Sequence, residues 1–309
     1  MCIRDRGQAL VRMLASSLCN HPELRSYYGD QPAGYGSHYP MAVGEPGHEG
    51  VGEIIALGEG AGATNLAVGD IVAMTGHGGD PTHRSHVLKQ ADTLARILPD
   101  GRDPKPASIL EMFGCAYHCI RAVWNEPHAY DDARVAVIGA GAIGLCSVQM
   151  LRLWPARQVT ALDVRADKLR LAARLGATET VEVPSDTDAE QLAADLGGFD
   201  VVVECTGQAA GHRLACALAR RAIINVSFCA EPYEVHQGRW FAFSTTVYNP
   251  GVLTSRELKA VASLYNRRLI DPDAMVSRRI APDVDEYLDA IAAIERGEVV
   301  KALIDWEAS

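Results

Sequence analysis

One continuous stretch, "DDARVAVIGAGAIGLCSVQMLRLWPARQVTALDVR", constrains the fold more than any other part of this chain. The apolar run at Val135–Ile138 predicts a buried strand, and after a glycine-rich turn the next apolar stretch predicts a helix to about Leu153. A second strand should end at Asp163. The pattern predicts a βαβ unit and therefore an α/β fold with a Rossmann, doubly wound parallel sheet.

The turn carries three glycines with the spacing G-x-G-x-x-G, at Gly139, Gly141 and Gly144. In such a motif the first glycine makes the tight turn, the second lets the backbone approach a pyrophosphate, and the third lets helix pack on strand. The pyrophosphate then lies on the first amides of the helix, here Ala142 and Ile143. The sequence predicts a dinucleotide cofactor.

Residues after the second strand bear on the choice between NAD and NADP. Asp163 should accept hydrogen bonds from the ribose hydroxyls and repel a 2′-phosphate, which favours NAD. Arg165 and Lys168 argue the other way, because a base at either position could bind that phosphate. Arg165 could equally be a solvated surface charge, so both interpretations stay open.

Two further strands are predicted downstream. The run "FDVVVECTG" should be a buried parallel strand whose carboxyl end places Cys205 and Thr206 at the cofactor crevice. The run "RAIINVSF" at 221–228 predicts the next strand.

Composition limits the number of domains and the kinds of binding partner that this chain can have. The 309 residues suffice for two domains, and a net charge of -10 with acids and bases intermixed argues against nucleic acid or an anionic membrane as partner. A small-molecule substrate fits better. The eight cysteines show no paired spacing and no secretory signal precedes them, so a cytoplasmic protein is expected. The opening "MCIRDR" resembles an artificial leader, and we expect the native N-terminus to be missing.

The second informative motif is "GEPGHEGVGEIIALGEGAGATNLAVGDIVA". Its spacing G-H-E-x-x-G-x5-G-x-x-A is made by Gly47, His48, Glu49, Gly52, Gly58 and Ala61. From about Gln8 to Asp305 the chain resembles the zinc-dependent alcohol and polyol dehydrogenases of the medium-chain dehydrogenase/reductase family. The resemblance implies a discontinuous, β-rich GroES-like catalytic domain at 1–122 and 274–309, and a Rossmann domain at 123–273.

The resemblance also implies one catalytic zinc. Its ligands would be Cys19, His48 and Glu111, with Glu49 at or just behind the metal and Cys115 a weaker candidate. Thiolate, imidazole and carboxylate all suit zinc. The plainer interpretation is a buried cysteine, a loop histidine and a helix cap. Relatives often carry a second, structural zinc on four closely spaced cysteines, and the segment 71–106 contains none, so a single zinc is expected.

Several positions depart from the family pattern. His21 and Pro22 stand where relatives have a Ser or Thr and an Asp. His21 could accept the substrate proton, bind zinc or face solvent, whereas Pro22 cannot support His48 through a side chain. His83 and His86 could suit a metal but more simply mark a solvated strand end. The family's Gly-Gly turn reads "ARRAI" here, which should alter the nicotinamide end of the crevice.

We therefore expect a reversible, NAD-dependent oxidation of a secondary alcohol, such as a polyol or cyclitol. Association into a homo-dimer or homo-tetramer is expected by analogy, with "WFAFSTTV" at 240–247 as part of an edge strand. Two alternatives remain: a zinc-free NAD(P)H-dependent quinone or enone reductase, and a non-catalytic nucleotide-binding protein.

Overall fold

The computed structural model describes residues 7–20, 22–29, 40–124, 131–184, 186–227, 229 and 231–308. The chain forms two compact units. The first contains Met1–Gly114 and Leu253–Ser309, and the second contains Cys115–Val252. The chain thus returns to its first unit after the second is complete.

The strands, in chain order, are β1 Gln8–Ser17, β2 Glu49–Leu57, β3 Ile71–Thr75, β4 His86–Gln90, β5 Ala95–Ile97, β6 Arg134–Ile138, β7 Gln158–Asp163, β8 Glu179–Glu182, β9 Phe199–Glu204, β10 Ala219–Asn225, β11 Thr246–Tyr248, β12 Val276–Ile280 and β13 Lys301–Asp305. The helices are α1 Pro22–Tyr28, α2 Leu110–Trp124, α3 Ala142–Leu151, α4 Ala166–Leu175, α5 Ala189–Leu196, α6 Ala209–Leu218, α7 Gln237–Phe243, α8 Ser255–Asn266 and α9 Val284–Glu295. No helix in the described ranges is both long and apolar enough to cross a bilayer.

The first unit is built on a mixed sheet with the order β12-β13-β1-β2-β3-β5, and β4 also pairs with β1. Alternate side chains of the strands point into one core, which includes Met13, Ile54 and Val72. Gly52 of the sequence motif lies on β2 opposite Met13 of the paired strand β1. A Cβ there would lie 2.5 Å from the carbonyl oxygen of Arg12, so only glycine lets the two strands pair this closely.

The second unit is a parallel sheet with the order β11-β10-β9-β6-β7-β8. Apolar runs form its central strands because helices pack on both faces of such a sheet. The carboxyl ends of β6, β7 and β9 fall at Ile138, Asp163 and Glu204, on one edge. The α/β, Rossmann expectation is confirmed, as is the β-rich character of the first unit.

Two local expectations need correction. Arg220 and Arg221 lie at the amino end of β10, beside an irregularity in its pairing with β9. A dinucleotide binds at the carboxyl ends of parallel strands, so this substitution does not change the nicotinamide end of the crevice. The segment expected to be an edge strand is mostly helix α7, and only its end enters β11 at the sheet edge.

A fully buried lysine fixes the loop after β3. The Nζ of Lys89, on β4, donates to the carbonyl oxygens of Thr75 at 2.7 Å and His77 at 3.2 Å. Burial lowers the pKa of Lys89 to about 8, against the opposing charge of Asp80. The side chain therefore joins β4 to the backbone that follows β3.

This lysine should make folding stability depend on pH. Its folded pKa of about 8 lies below the usual 10.5, so between these values the unfolded chain binds more protons and rising pH favours the fold. The Lys89→Met variant lacks that gain, so the free energy of unfolding of wild type relative to the variant should rise from about pH 8 to about pH 10. Urea unfolding at both pH values measures it, and an unchanged difference would contradict the assignment.

Candidate active site

Strand pairing brings together Cys19 and His48, two of the three metal ligands predicted from the sequence. Cys19 follows β1 and His48 precedes β2, and these antiparallel strands pair with Ser16 opposite Gly50. The end of one strand therefore meets the start of the other. Ligand atoms of Cys19, His48 and Glu49 all lie within 4.8 Å of one another.

The imidazole of His48 is oriented by the backbone. Its Nδ1 lies 3.0 Å from the carbonyl oxygen of Pro46, which can only accept, so Nδ1 carries the proton. Nε2 is then the ring nitrogen that a metal ion can bind in place of a proton, and it lies 4.0 Å from Oε1 of Glu49. The hydrogen bond that Pro22 cannot give to His48 is provided by the carbonyl oxygen of Pro46, and it leaves Nε2 as the ligand atom.

Glu49 is completely buried and is held by a buried lysine. Its Oε1 accepts from Nζ of Lys301 at 2.6 Å, and the same Nζ donates to the carbonyl oxygen of Leu18 at 2.7 Å. Oε2 has no hydrogen-bond partner among the residues that the structure describes. Sequence reasoning missed Lys301, although a lone cation in the apolar run "VVKALI" indicates a buried partner.

The electrostatics of this cluster favour a cation. Burial works to lower the pKa of His48, but the charge and hydrogen bond of Cys19 raise it well above its usual value. The carboxylates of Glu111 and Glu49 act in the same direction. Burial raises the pKa of Glu49 to about 7 although Lys301 and His48 oppose it, and Glu49 in turn raises the pKa of Lys301. A field that favours imidazolium also favours a bound metal ion.

The remaining predicted site residues lie around this cluster. Glu111 is in the first turn of α2 and is half-buried, outside the group of closely spaced ligand atoms. Its charge nevertheless acts on His48 and Glu49. Cys115 lies one turn further along the same helix. His21 falls outside the described residues.

A second buried acid lies beside the cluster and was not foreseen. Glu23 of α1 is buried, and its Oε1 is 3.1 Å from Nε2 of His83, whose Nδ1 is 2.9 Å from Oγ of Ser16. Burial raises the pKa of Glu23, but the charges of His83 and His48 and the amide of Cys19 outweigh it and lower the pKa. The solvated strand end expected at His83 is therefore wrong, because tertiary packing buries that ring.

The cluster fits a divalent metal ion such as zinc. It supplies a thiol from Cys19, the Nε2 atom of His48, whose Nδ1 is engaged by Pro46, and a buried carboxylate oxygen of Glu49 without a hydrogen-bond partner in the described chain. A buried, unpaired carboxylate oxygen is costly unless it meets a cation or a donor. The donor types are those that zinc prefers.

The glycine turn of the second unit has the shape of a phosphate cradle. Gly139 has a φ of +91°, and its Cβ would lie 2.8 Å from Cγ2 of Thr206. A Cβ on Gly144 would lie 1.8 Å from the carbonyl oxygen of Gly139. A Cβ on Gly141, in contrast, would have nothing within 4 Å. The turn therefore packs tightly at its two ends and is open in the middle.

The open position faces the start of a helix. Helix α3 begins at Ala142, so the amides of Ala142 and Ile143 belong to its first turn and lack intrahelical acceptors. At the end of β7, the carboxylate of Asp163 accepts from the amides of Ala140 at 2.6 Å and Arg165 at 2.9 Å. This geometry fits a dinucleotide pyrophosphate and ribose.

The other predicted cofactor residues have more varied roles. Thr206 lies beside Gly139, and its amide donates to Glu204 Oε1 at 2.8 Å. Cys205 is buried, with Sγ 3.7 Å from Oγ of Ser147, and burial raises the pKa of its thiol. It therefore packs beneath the turn. Lys168 is half-buried in the first turn of α4.

Comparison with known proteins identifies the class. Residues 5–98 match the alcohol dehydrogenase GroES-like domain, and residues 142–267 match the zinc-binding dehydrogenase domain. The chain belongs to the zinc-binding, medium-chain alcohol dehydrogenase family and is an oxidoreductase of that family.

Three relatives illustrate the similarity. S-(hydroxymethyl)glutathione dehydrogenase of Escherichia coli is 25% identical over 97% of this chain and 92% of its own. A crystal structure assigned to the zinc-binding dehydrogenases, from Sinorhizobium meliloti 1021 with NADP bound, is 25% identical with a TM-score of 0.83 and covers 98% of this chain and 93% of that one. The 2R,3R-butanediol dehydrogenase of Bacillus subtilis shares the fold, with a TM-score of 0.80 at 23% identity. The match covers 99% of this chain and 94% of that one.

The two glycines of the turn should behave differently on substitution. Gly141→Ala places a methyl group in open space and should change the free energy of unfolding by less than about 1 kcal/mol while weakening NADH binding at least about tenfold. Gly144→Ala clashes with backbone and should destabilise the fold itself. Urea unfolding and NADH fluorescence titration measure both effects. Undiminished NADH binding by Gly141→Ala would contradict a pyrophosphate at this position.

The buried ion pair should dominate the stability of the first unit. Lys301→Met leaves Glu49 buried without its cation and should cost about 3 to 5 kcal/mol in the free energy of unfolding. The exposed pair of Arg268 and Asp100 provides the control, and Arg268→Gln should cost less than about 1 kcal/mol. Equal losses in the two variants, measured by urea unfolding, would contradict the assignment.

Proposed function

We propose that this protein catalyses the reversible oxidation of a secondary alcohol by NAD at a single zinc ion. The observation that carries the proposal is the meeting of Cys19, His48 and Glu49 at the ends of two paired strands. The family membership supports an oxidoreductase. The zinc, the choice of NAD and the substrate class are the parts that need testing.

In the proposed site, Cys19, His48 and Glu111 would hold the metal, and Glu49 would be an exchangeable carboxylate beside it. A zinc ion held there would supply Lewis-acid chemistry for the alcohol oxygen. The hydrogen bond from His48 to Pro46 keeps Nε2 available as a ligand atom. Lys301 engages Oε1 of Glu49, so Oε2 is the oxygen left without a hydrogen-bond partner in the described chain. His21 is the proposed proton acceptor.

The second unit would bind the cofactor. NAD supplies the hydride acceptor. The open space at Gly141 and the first-turn amides of α3 suit its pyrophosphate, and the carboxylate of Asp163 suits its ribose hydroxyls. A carboxylate at this point disfavours the doubly charged 2′-phosphate of NADP.

The proposed substrate class is a polyol, cyclitol or related hydroxylated compound. The sequence "ILEMFGCAYHCIRA" matches the polyol form of the family, in which a glutamate takes the ligand position on this helix. Glu111 acts electrostatically on His48 and Glu49, which supports a role in the same site.

Turnover tests the proposal. NADH formation from NAD and a panel of polyols, cyclitols and simple secondary alcohols should be seen with the zinc-loaded wild type. Cys19→Ser should lower kcat/KM at least about a thousandfold, because a ligand is lost, while Cys216→Ser, on α6 of the other unit, should match wild type. Turnover of quinones or enones with NAD(P)H but not of alcohols would favour the metal-free reductase. NADH binding without any turnover would favour the non-catalytic protein.

The helix ligand can be tested separately. Glu111→Gln should weaken zinc binding about tenfold to a hundredfold, measured by competition with a chromogenic chelator, because a charged donor is replaced by a neutral amide. Cys115→Ala, one turn along the same helix, should keep the wild-type affinity. The opposite result would assign the helix ligand to Cys115.

A further inference from the structure

Arg165 is the residue that could overturn the preference for NAD. Its amide donates to Oδ1 of Asp163 at 2.9 Å, so its side chain starts directly beside the carboxylate that would receive the adenosine ribose. An arginine in this neighbourhood is a means of binding the 2′-phosphate of NADP. The backbone position of Arg165 is therefore compatible with binding of either NAD or NADP.

The guanidinium of Arg165 is, however, engaged by an acid two residues further on. Nε donates to Oδ1 of Asp167 at 3.0 Å, and Nη2 donates to Oδ2 at 3.0 Å. This is a bidentate pair, in which both donors meet both oxygens of one carboxylate. The hydrogen bond from Arg165 also lowers the pKa of Asp167. Asp167 lies in the first turn of α4, so its position is set by the helix.

We propose that Asp167 is a specificity-determining residue that holds Arg165 in this pair and so keeps the site selective for NAD over NADP. The inference rests on the dinucleotide site of the proposed function. A 2′-phosphate would have to displace the carboxylate of Asp167 from Arg165 while approaching the charge of Asp163. The neutral 2′-hydroxyl of NAD need not displace Asp167 and is not repelled by Asp163.

The pair lies at the surface, which sets the size of the effect. The side chain of Arg165 is 38% exposed and that of Asp167 is 51% exposed. Exposed ion pairs contribute little and are screened by salt. The expected change in selectivity on removing Asp167 is therefore about twofold to fivefold, and it should shrink at high ionic strength.

Direct binding of the reduced cofactors tests the proposal without turnover. NADH and NADPH fluorescence titrations would compare wild type, Asp167→Asn, Arg165→Gln and the double variant at low salt. Wild type should bind NADH more tightly than NADPH. Asp167→Asn should tighten NADPH binding about twofold to fivefold and leave the NADH affinity within about 1.5-fold of wild type. Adding Arg165→Gln should abolish the gain in NADPH affinity, because the guanidinium of Arg165 is the proposed phosphate-binding group.

A pair of the same form elsewhere gives the control. Arg296 donates from Nε and Nη2 to both oxygens of Glu298 at 2.8 Å, again two residues apart and with both side chains more than half exposed. Glu298→Gln should leave both affinities unchanged.

Three results would count against the proposal. If Asp167→Asn still binds NADH and its ratio of NADH to NADPH affinity equals that of wild type, this inference is overturned and the proposed function still stands. A wild type that prefers NADPH would overturn the inference and the choice of NAD. Binding of neither cofactor by wild type would contradict the dinucleotide site itself, and the inference with it.

Discussion

The ammonium group of Lys301 is the constraint on which the first unit depends. It lies on β13, donates to the end of β1 at Leu18, and pairs with Glu49 at the start of β2. One buried cation therefore ties together the ends of three strands. Such a pair is costly to bury and more costly to break, so it fixes the position of the backbone that carries Cys19 and His48.

The same charge sets the electrical balance of the site. Cys19, Glu49 and Glu111 contribute negative or potentially negative groups, and Lys301 offsets only part of them. The site is thus prepared for a further cation. The second unit is instead suited to an anion. Because Gly141 has no side chain, space and amide donors are left for a phosphate group.

The sequence predicted those parts of the structure that depend on local pattern. The glycine motif, strands β6 and β7, and the pair of His48 and Glu49 each follow from residues close together in the chain. Lys301 and Glu49 are 252 positions apart, and the contact of His83 with Glu23 also joins distant segments. Such contacts depend on strand register, which local pattern does not encode. The short helix α7 was missed because its aromatic residues resemble a strand.

If Cys19 and His48 hold one metal ion, the metal content per chain must depend on both residues. Purified wild type, Cys19→Ala, His48→Ala and the control Cys146→Ala, a buried cysteine of the other unit, would be analysed after zinc loading and removal of excess metal. We expect about one zinc per chain in wild type and control and little in the two ligand variants. A wild type without zinc, or full zinc content in both ligand variants, would contradict this expectation.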